Sequence, residues 1–118
     1  MSAVIPKVVR VHRFHPAGLD PVTVYVEQYG PESSRMTVQC YAQAWTAYWG
    51  AHGKRPVEQF VADCNAEYVV SNLDWGNGGQ RTKAAERRHI EYLTRIVRAI
   101  QEEFSKAGQR RPAKEKTA

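Results

Sequence analysis

Cysteine is scarce in this chain of 118 residues: only Cys40 and Cys64 are present. Two thiols are too few for a disulfide framework, and their spacing fits no zinc site. A reduced, cytosolic protein with both thiols in or near the core is the expectation. No apolar run approaches the roughly 20 residues that cross a bilayer, so no membrane partner is expected. The opening residues MSAVIPKVV contain no long apolar segment and no cleavage site, so no secretion signal is expected either. Catalytic signatures are equally sparse. Gly76-Asn77-Gly78-Gly79 lacks the Lys-Ser/Thr of a P-loop and the Rossmann glycine spacing, and reads as a connector. His12, His15, His52 and His89 are not paired at metal spacing. Asp63, Glu67 and Asp74 read as solvated positions on the middle helices. The sequence therefore points to a non-enzymatic protein without cofactor or metal. A small metal-dependent or hydrolytic enzyme is the distant alternative.

What is present is a charge asymmetry and a dense aromatic stretch. Residues 1–80 hold six Lys/Arg against seven Asp/Glu, whereas residues 81–118 hold eleven against five. The net charge of +5 thus resides in the last third. That balance favours an acidic partner, either nucleic acid or an acidic protein face. Arg87–Glu91, Glu91–Arg95 and Arg98–Glu102 stand at i, i+4 spacing and are expected to neutralise part of the arginine field.

Periodicity gives the fold class. Lys7–Phe14 alternates, with Val9 and Val11 on one face and Arg10 and His12 on the other. Val22–Tyr29 places Val22, Val24 and Val26 inward, and Met36–Tyr41 places Met36, Val38 and Cys40 inward. Short turn-like links between these segments predict an antiparallel meander of three strands. In Ala42–Gly50 the spacing of Trp45, Tyr48 and Trp49 predicts a helix that stops at Gly50. Pro56 opens a further helix with Val57, Phe60 and Val61 on one face, and Asn65 is placed to cap the segment Ala66–Trp75. Thr82 caps the last helix. Its apolar stripe runs Ile90, Leu93, Val97, Ile100, Phe104 and ends at Gly108. The expectation is an α+β protein, with a three-stranded antiparallel sheet from the N-terminal half packed against three or four helices from the C-terminal half. Residues 1–108 form one domain and 109–118 a disordered basic tail. The amphipathic last helix also suits a homodimer.

Candidate contact residues follow from exposure and charge. Arg88 and Arg95 lie seven apart on one helix face, with Arg87 beside them. Trp45, Tyr48, Trp49 and Trp75 suit base stacking, an interface hot spot or the core. Tyr25 and Tyr41 occupy the polar faces of their strands. With Arg10, His12 and Arg13 they are expected to form an exposed aromatic–basic sheet surface. The residues chosen as the binding set are Arg87, Arg88, Arg95, Tyr25, Tyr41 and Trp75.

Two segments, VHRFHPAGLDPVTVYVEQYGP and MTVQCYAQAWTAYWGAHG followed by VEQF, resemble a group of small proteins encoded in phage and prophage accessory regions. The resemblance covers about the first two-thirds of the chain and brings no catalytic residue with it. It implies a phage-encoded protein in the cytoplasm of the host bacterial cell, of the anti-CRISPR or other anti-defence type. Such a protein binds a host defence complex, most specifically a CRISPR–Cas effector, and occludes a functional or nucleic-acid-binding surface. The alternative is a small basic protein that contacts DNA or RNA directly through its C-terminal third.

Overall fold

Alternating sequence over residues 8–49 folds into four strands of equal length: β1 (Val8–Phe14), β2 (Val22–Gln28), β3 (Ser34–Cys40) and β4 (Gln43–Trp49). The computed structural model describes residues 5–74 and 82–117, with side chains to residue 107. The strands form one antiparallel sheet in the order β1-β2-β3-β4. Three helices follow, α1 (Val57–Asp63), α2 (Ala66–Asp74) and α3 (Lys83–Thr117), and they pack on one face of the sheet. The α+β class is as the sequence predicts, but the sheet has four strands.

The fourth strand replaces the helix expected over Ala42–Gly50. Gln43–Trp49 pairs with β3 from Cys40↔Gln43 to Ser34↔Trp49. Trp45, Ala47 and Trp49 are buried, while Ala44, Thr46 and Tyr48 are exposed. The helical reading took Tyr48 into the core; period 2 takes Ala47 instead. The two-residue link Tyr41–Ala42 holds Tyr41 at φ 56°, in the positive region that tight hairpin turns demand.

The core lies between the sheet and the helices. From the sheet come Val22, Val24, Val26, Met36, Val38, Cys40, Trp45, Ala47 and Trp49. The helices contribute Val57, Val61, Val69, Val70 and Leu73, together with Leu93, Ile96, Val97, Ile100 and Phe104 of α3. Each fully buried aliphatic side chain contributes about 1.5–3 kcal/mol relative to exposure. The α3 stripe that also suits a homodimer is thus consumed inside one chain. The expected caps form: Asn65 Oδ1 accepts from the Glu67 amide at 2.8 Å, and Thr82 Oγ1 accepts from the Ala85 amide at 3.1 Å. The α3 backbone continues past Gly108, where the sequence places a stop. The tail expected from residue 109 onward lies outside the described side chains, and Trp75 and the glycine connector lie outside the described residues.

Candidate interaction surfaces

Register decides which side chains the uncovered face of the sheet presents. Its three rows run Val9–Glu27–Arg35–Tyr48, Val11–Tyr25–Thr37–Thr46 and Arg13–Thr23–Gln39–Ala44. Tyr25 sits at the centre, its hydroxyl 3.5 Å from Gln39 Oε1. Thr37 and Thr46 are joined at 3.2 Å, and Arg35 reaches Glu27 at 4.0 Å while its guanidinium lies over the Tyr29 ring. Val9 and Val11 are 57% and 47% exposed, and Tyr48 is exposed beside them. The open face is therefore aliphatic, aromatic and polar, with the Glu27–Arg35 pair in one row and Arg13 at the opposite corner.

The expected surface of Tyr25 and Tyr41 with Arg10, His12 and Arg13 does not exist as such. Arg10 and His12 point to the opposite, helix-covered side. Only Arg13 shares the face of Tyr25. The cause is Glu58 of α1, 48 residues away from Arg10 in sequence. Arg10 donates from Nε to Glu58 Oε2 at 2.6 Å and from Nη2 to Oε1 at 2.8 Å. His12 Nε2 lies 2.8 Å from Oε2, and Arg10 Nη1 donates to Gln28 Oε1 at 2.8 Å. Burial on its own pushes the Glu58 carboxyl up. Hydrogen bonds from His12, Arg10 and the backbone, with the charge of Arg10, overcome this and bring it down to about 2. Arg10 is raised in turn, chiefly by its hydrogen bond to Glu58. The ring of His12 meets Phe104 edge-on at 4.9 Å. This saturated network ties the edge strand to α1.

A second surface forms at the end of the sheet where Phe14, Val22, Cys40 and Gln43 line up. The β3–β4 turn presents Tyr41, 76% exposed. The β1–β2 loop lies at the same end, and Arg95 of α3 donates to the Gly18 carbonyl at 3.0 Å. Gly18 holds φ 77° there, a conformation glycine adopts freely. Tyr92 donates to Cys40 Sγ at 3.5 Å, which pins α3 beneath the turn. That hydrogen bond, with burial second, pushes the Tyr92 hydroxyl up to about 12. A groove of about 580 Å³ opens between the loop and α3, lined by Phe14, His15, Leu19, Arg95, Arg98 and Lys106 among others. Glu102 and Glu103 also line it, so its charge is mixed. Arg87 and Arg88 are exposed on the first turns of α3. Among the described residues none of the three expected i, i+4 pairs is closed; the pair formed is Lys106 with Glu102 at 3.2 Å.

The structure thus gathers Tyr41 and Arg95 at one end, sets Arg87 and Arg88 nearby on α3, and puts Tyr25 on a different face. Trp75 lies outside the described residues. Trp45 and Trp49 are core residues whose indoles find partners: Trp49 donates to the Tyr68 hydroxyl at 3.1 Å, and Trp45 to His89 Nε2 at 3.4 Å. The same His89 nitrogen lies 3.2 Å from Asp74 Oδ1. It cannot accept from the indole and donate to the carboxylate at once.

Two groups could be taken for chemistry. Ser34 Oγ and His52 Nε2 are 3.0 Å apart, but both residues are buried. His52 Nδ1 has no partner among the described residues, so no carboxylate completes a triad there. No group of three or more His, Cys, Asp or Glu among the described residues is placed to hold a metal ion. No helix among them is long and apolar enough to cross a membrane. Sequence reasoning missed Glu58 and the outward turn of Val9 and Val11. The signal was there in the alternation of β1, but its sign depends on a distant carboxylate.

The model of one protein family, described as a phage family (Phage_phiTE_072), matches residues 2–90. That span contains the whole sheet, α1, α2 and Arg87 and Arg88; Arg95 lies beyond it. No curated protein and no solved structure matches the chain.

Proposed function

The chain belongs to the phage family whose model it matches, and we propose that it acts by binding, as a phage-encoded inhibitor of a host defence complex. In its most specific form the target is a CRISPR–Cas effector in the cytoplasm of the infected cell, and the mechanism is occlusion of a surface that handles nucleic acid. The observation that supports this is the uncovered sheet face. Val9, Val11 and Tyr48 stand in solvent and Tyr25 is half-buried, among threonines and the Glu27–Arg35 pair, a composition suited to a protein interface. Exposed Tyr41, held at a backbone angle unfavourable for tyrosine, adds an anchor of the kind found at hot spots. Occlusion needs no catalytic group or cofactor of its own.

The test is a tagged pull-down from host lysate, with and without nuclease, read by mass spectrometry. The expected result is a stoichiometric defence complex that survives nuclease and loses activity when purified protein is added. Nothing retained, or nucleic acid alone, overturns it. A second reading, direct binding of DNA or RNA, is favoured by Arg87 and Arg88, exposed without a carboxylate partner among the described residues. Its signature is affinity that falls steeply with salt.

A further inference from the structure

β1 is inverted at its centre. On the covered side, β2, β3 and β4 place mostly valine, methionine, cysteine and tryptophan; β1 places Arg10 and His12 there, between Val8 and a Phe14 that packs on the core. On the open side its neighbours place threonine, tyrosine, glutamine, alanine and the Glu27–Arg35 pair, whereas β1 places Val9 and Val11 with Arg13 at the end. Inverted patterning of this kind is costly unless something uses it. β1 is also the last strand of the sheet, and no described residue pairs with its outer edge. Ile5, Val8, Val9 and Val11, all on this segment, make up most of the large hydrophobic side chains exposed among the described residues. The opposite edge differs: β4 turns Trp45 and Trp49 into the core, and its outward row is Ala44, Thr46 and Tyr48.

We propose that the outer edge of β1 accepts an extended, acidic segment of a protein partner as a fifth strand. The proposal rests on the binding reading above and specifies how the partner is held. An edge strand offers alternate N–H and C=O groups ready for a further strand. Along the open face its odd residues read Lys7, Val9, Val11, Arg13, basic at both ends and aliphatic between. Lys7 and Arg13 are both exposed. Arg10 is already neutralised by Glu58 on the other side. An antiparallel strand matches this ladder when it carries acid, aliphatic, aliphatic and acid at alternate positions. A second copy of the chain does not match in the register that pairs the two valine steps. The antiparallel register that sets Val9 against the other copy's Val11 sets Lys7 against Arg13 and Arg10 against Arg10, like charges directly opposed. Flanking cations protect an edge from self-association, and the same cations select an acidic strand. The Glu58 network fixes β1 before the partner arrives, which lowers the ordering cost of binding.

The probe is a nine-residue peptide with Glu, Val, Val and Glu at alternate positions and threonine between, followed by fluorescence anisotropy. Amide exchange by NMR locates the binding. The expected result is binding that protects β1 amides and is about tenfold tighter than for the Lys, Val, Val, Lys peptide, since two cross-strand charge pairs change sign. Proline at the centre of the acidic peptide abolishes it, and Arg13→Glu in the protein narrows or reverses the charge preference. Equal affinity for both peptides, no binding, or protection confined to α3 overturns the proposal. So does a dimer whose β1 amides are protected without peptide, or an oligothymidylate that protects them instead. A host complex retained in the pull-down while the peptide fails refutes this edge and leaves the inhibitor reading standing. Loss of that complex refutes the inhibitor reading itself.

Discussion

Glu58→Gln tests the network that fixes the orientation of β1. The carboxyl lies near 2 in the folded protein, against an ordinary value of 4.5. A group depressed on folding contributes stability that is fully present above its unfolded value and lost as pH falls through the folded one. The window therefore runs from about pH 4.5 down to about pH 2. At 1.36 kcal/mol per pH unit the full shift corresponds to about 3 kcal/mol. Arg10 and His12 keep 29% and 27% of their side-chain surface exposed, and solvent screening reduces the figure to about 2 kcal/mol. The assay is urea unfolding of wild type and Glu58→Gln at pH 7, 4.5, 3 and 2. Other carboxylates titrate in the same range, so the difference between the two proteins is the quantity read. Wild type is expected to be more stable by about 2 kcal/mol or more at pH 7, because the amide leaves Arg10 without its counter-charge. The gap should narrow steadily below pH 4.5 and nearly close by pH 2. Parallel pH profiles would refute the account of Glu58, and with it the reason given for the inversion of β1.

Three further outcomes are expected. Tyr41→Gly relieves the positive φ and should raise stability by about 0.5–1 kcal/mol in thermal melts, net of the entropy glycine brings to the unfolded chain; the same change should weaken target binding, and unaltered affinity would remove Tyr41 from the interface. The double change Arg87→Ala and Arg88→Ala should leave stability within about 0.5 kcal/mol and weaken retention of the target in the pull-down; retention at the wild-type level would end their role. Ser34→Ala leaves both ring nitrogens of buried His52 without a partner and should cost about 1–3 kcal/mol in urea unfolding, while a change below 0.5 kcal/mol would mean that another group satisfies the ring.

Much of the fold was legible. β2 and β3 announced their inward faces through Val22, Val24, Val26, Met36, Val38 and Cys40, all buried. The α3 stripe was equally plain, because a long amphipathic helix repeats its signal over many turns. β4 was hidden for two physical reasons. Trp45 and Trp49 satisfy both a helical and a strand period, and the residue that separates the readings is Ala47, too small to register as apolar pattern. The hairpin turn is Tyr41–Ala42 rather than the Asn-Gly or Asp-Gly that marks such a link, so nothing local signalled a reversal. Of the candidate residues, Tyr41 lies exposed in the β3–β4 turn and Tyr25 on the open face, the side its strand period predicts. Arg10 and His12 were misplaced because alternation separates two faces without saying which one is covered. For an inner strand, burial of valine answers that question. For this edge strand it is answered by a carboxylate 46 residues from His12.

That inversion also explains why sheet and helices meet as they do. The core is anchored by the tryptophans of β4 at one side of the sheet and thins towards β1, where the covered face ends in Arg10, His12 and Glu58. Had Val9 and Val11 faced inward, β1 would have added its aliphatic area to the core and left a basic surface outside. The observed arrangement gives up part of that burial, about 1 kcal/mol for each valine because both are only about half exposed, and recovers some of it through a charge-assisted network of four hydrogen bonds. What remains exposed is an aliphatic ladder between two cations on a strand whose outer edge has no partner among the described residues. If the edge binds as proposed, the cost to folding and the capacity for binding reside in the same strand, so Val9→Thr with Val11→Thr should leave the urea midpoint nearly unchanged while abolishing binding of the acidic peptide; undiminished binding would refute the role of the two valines.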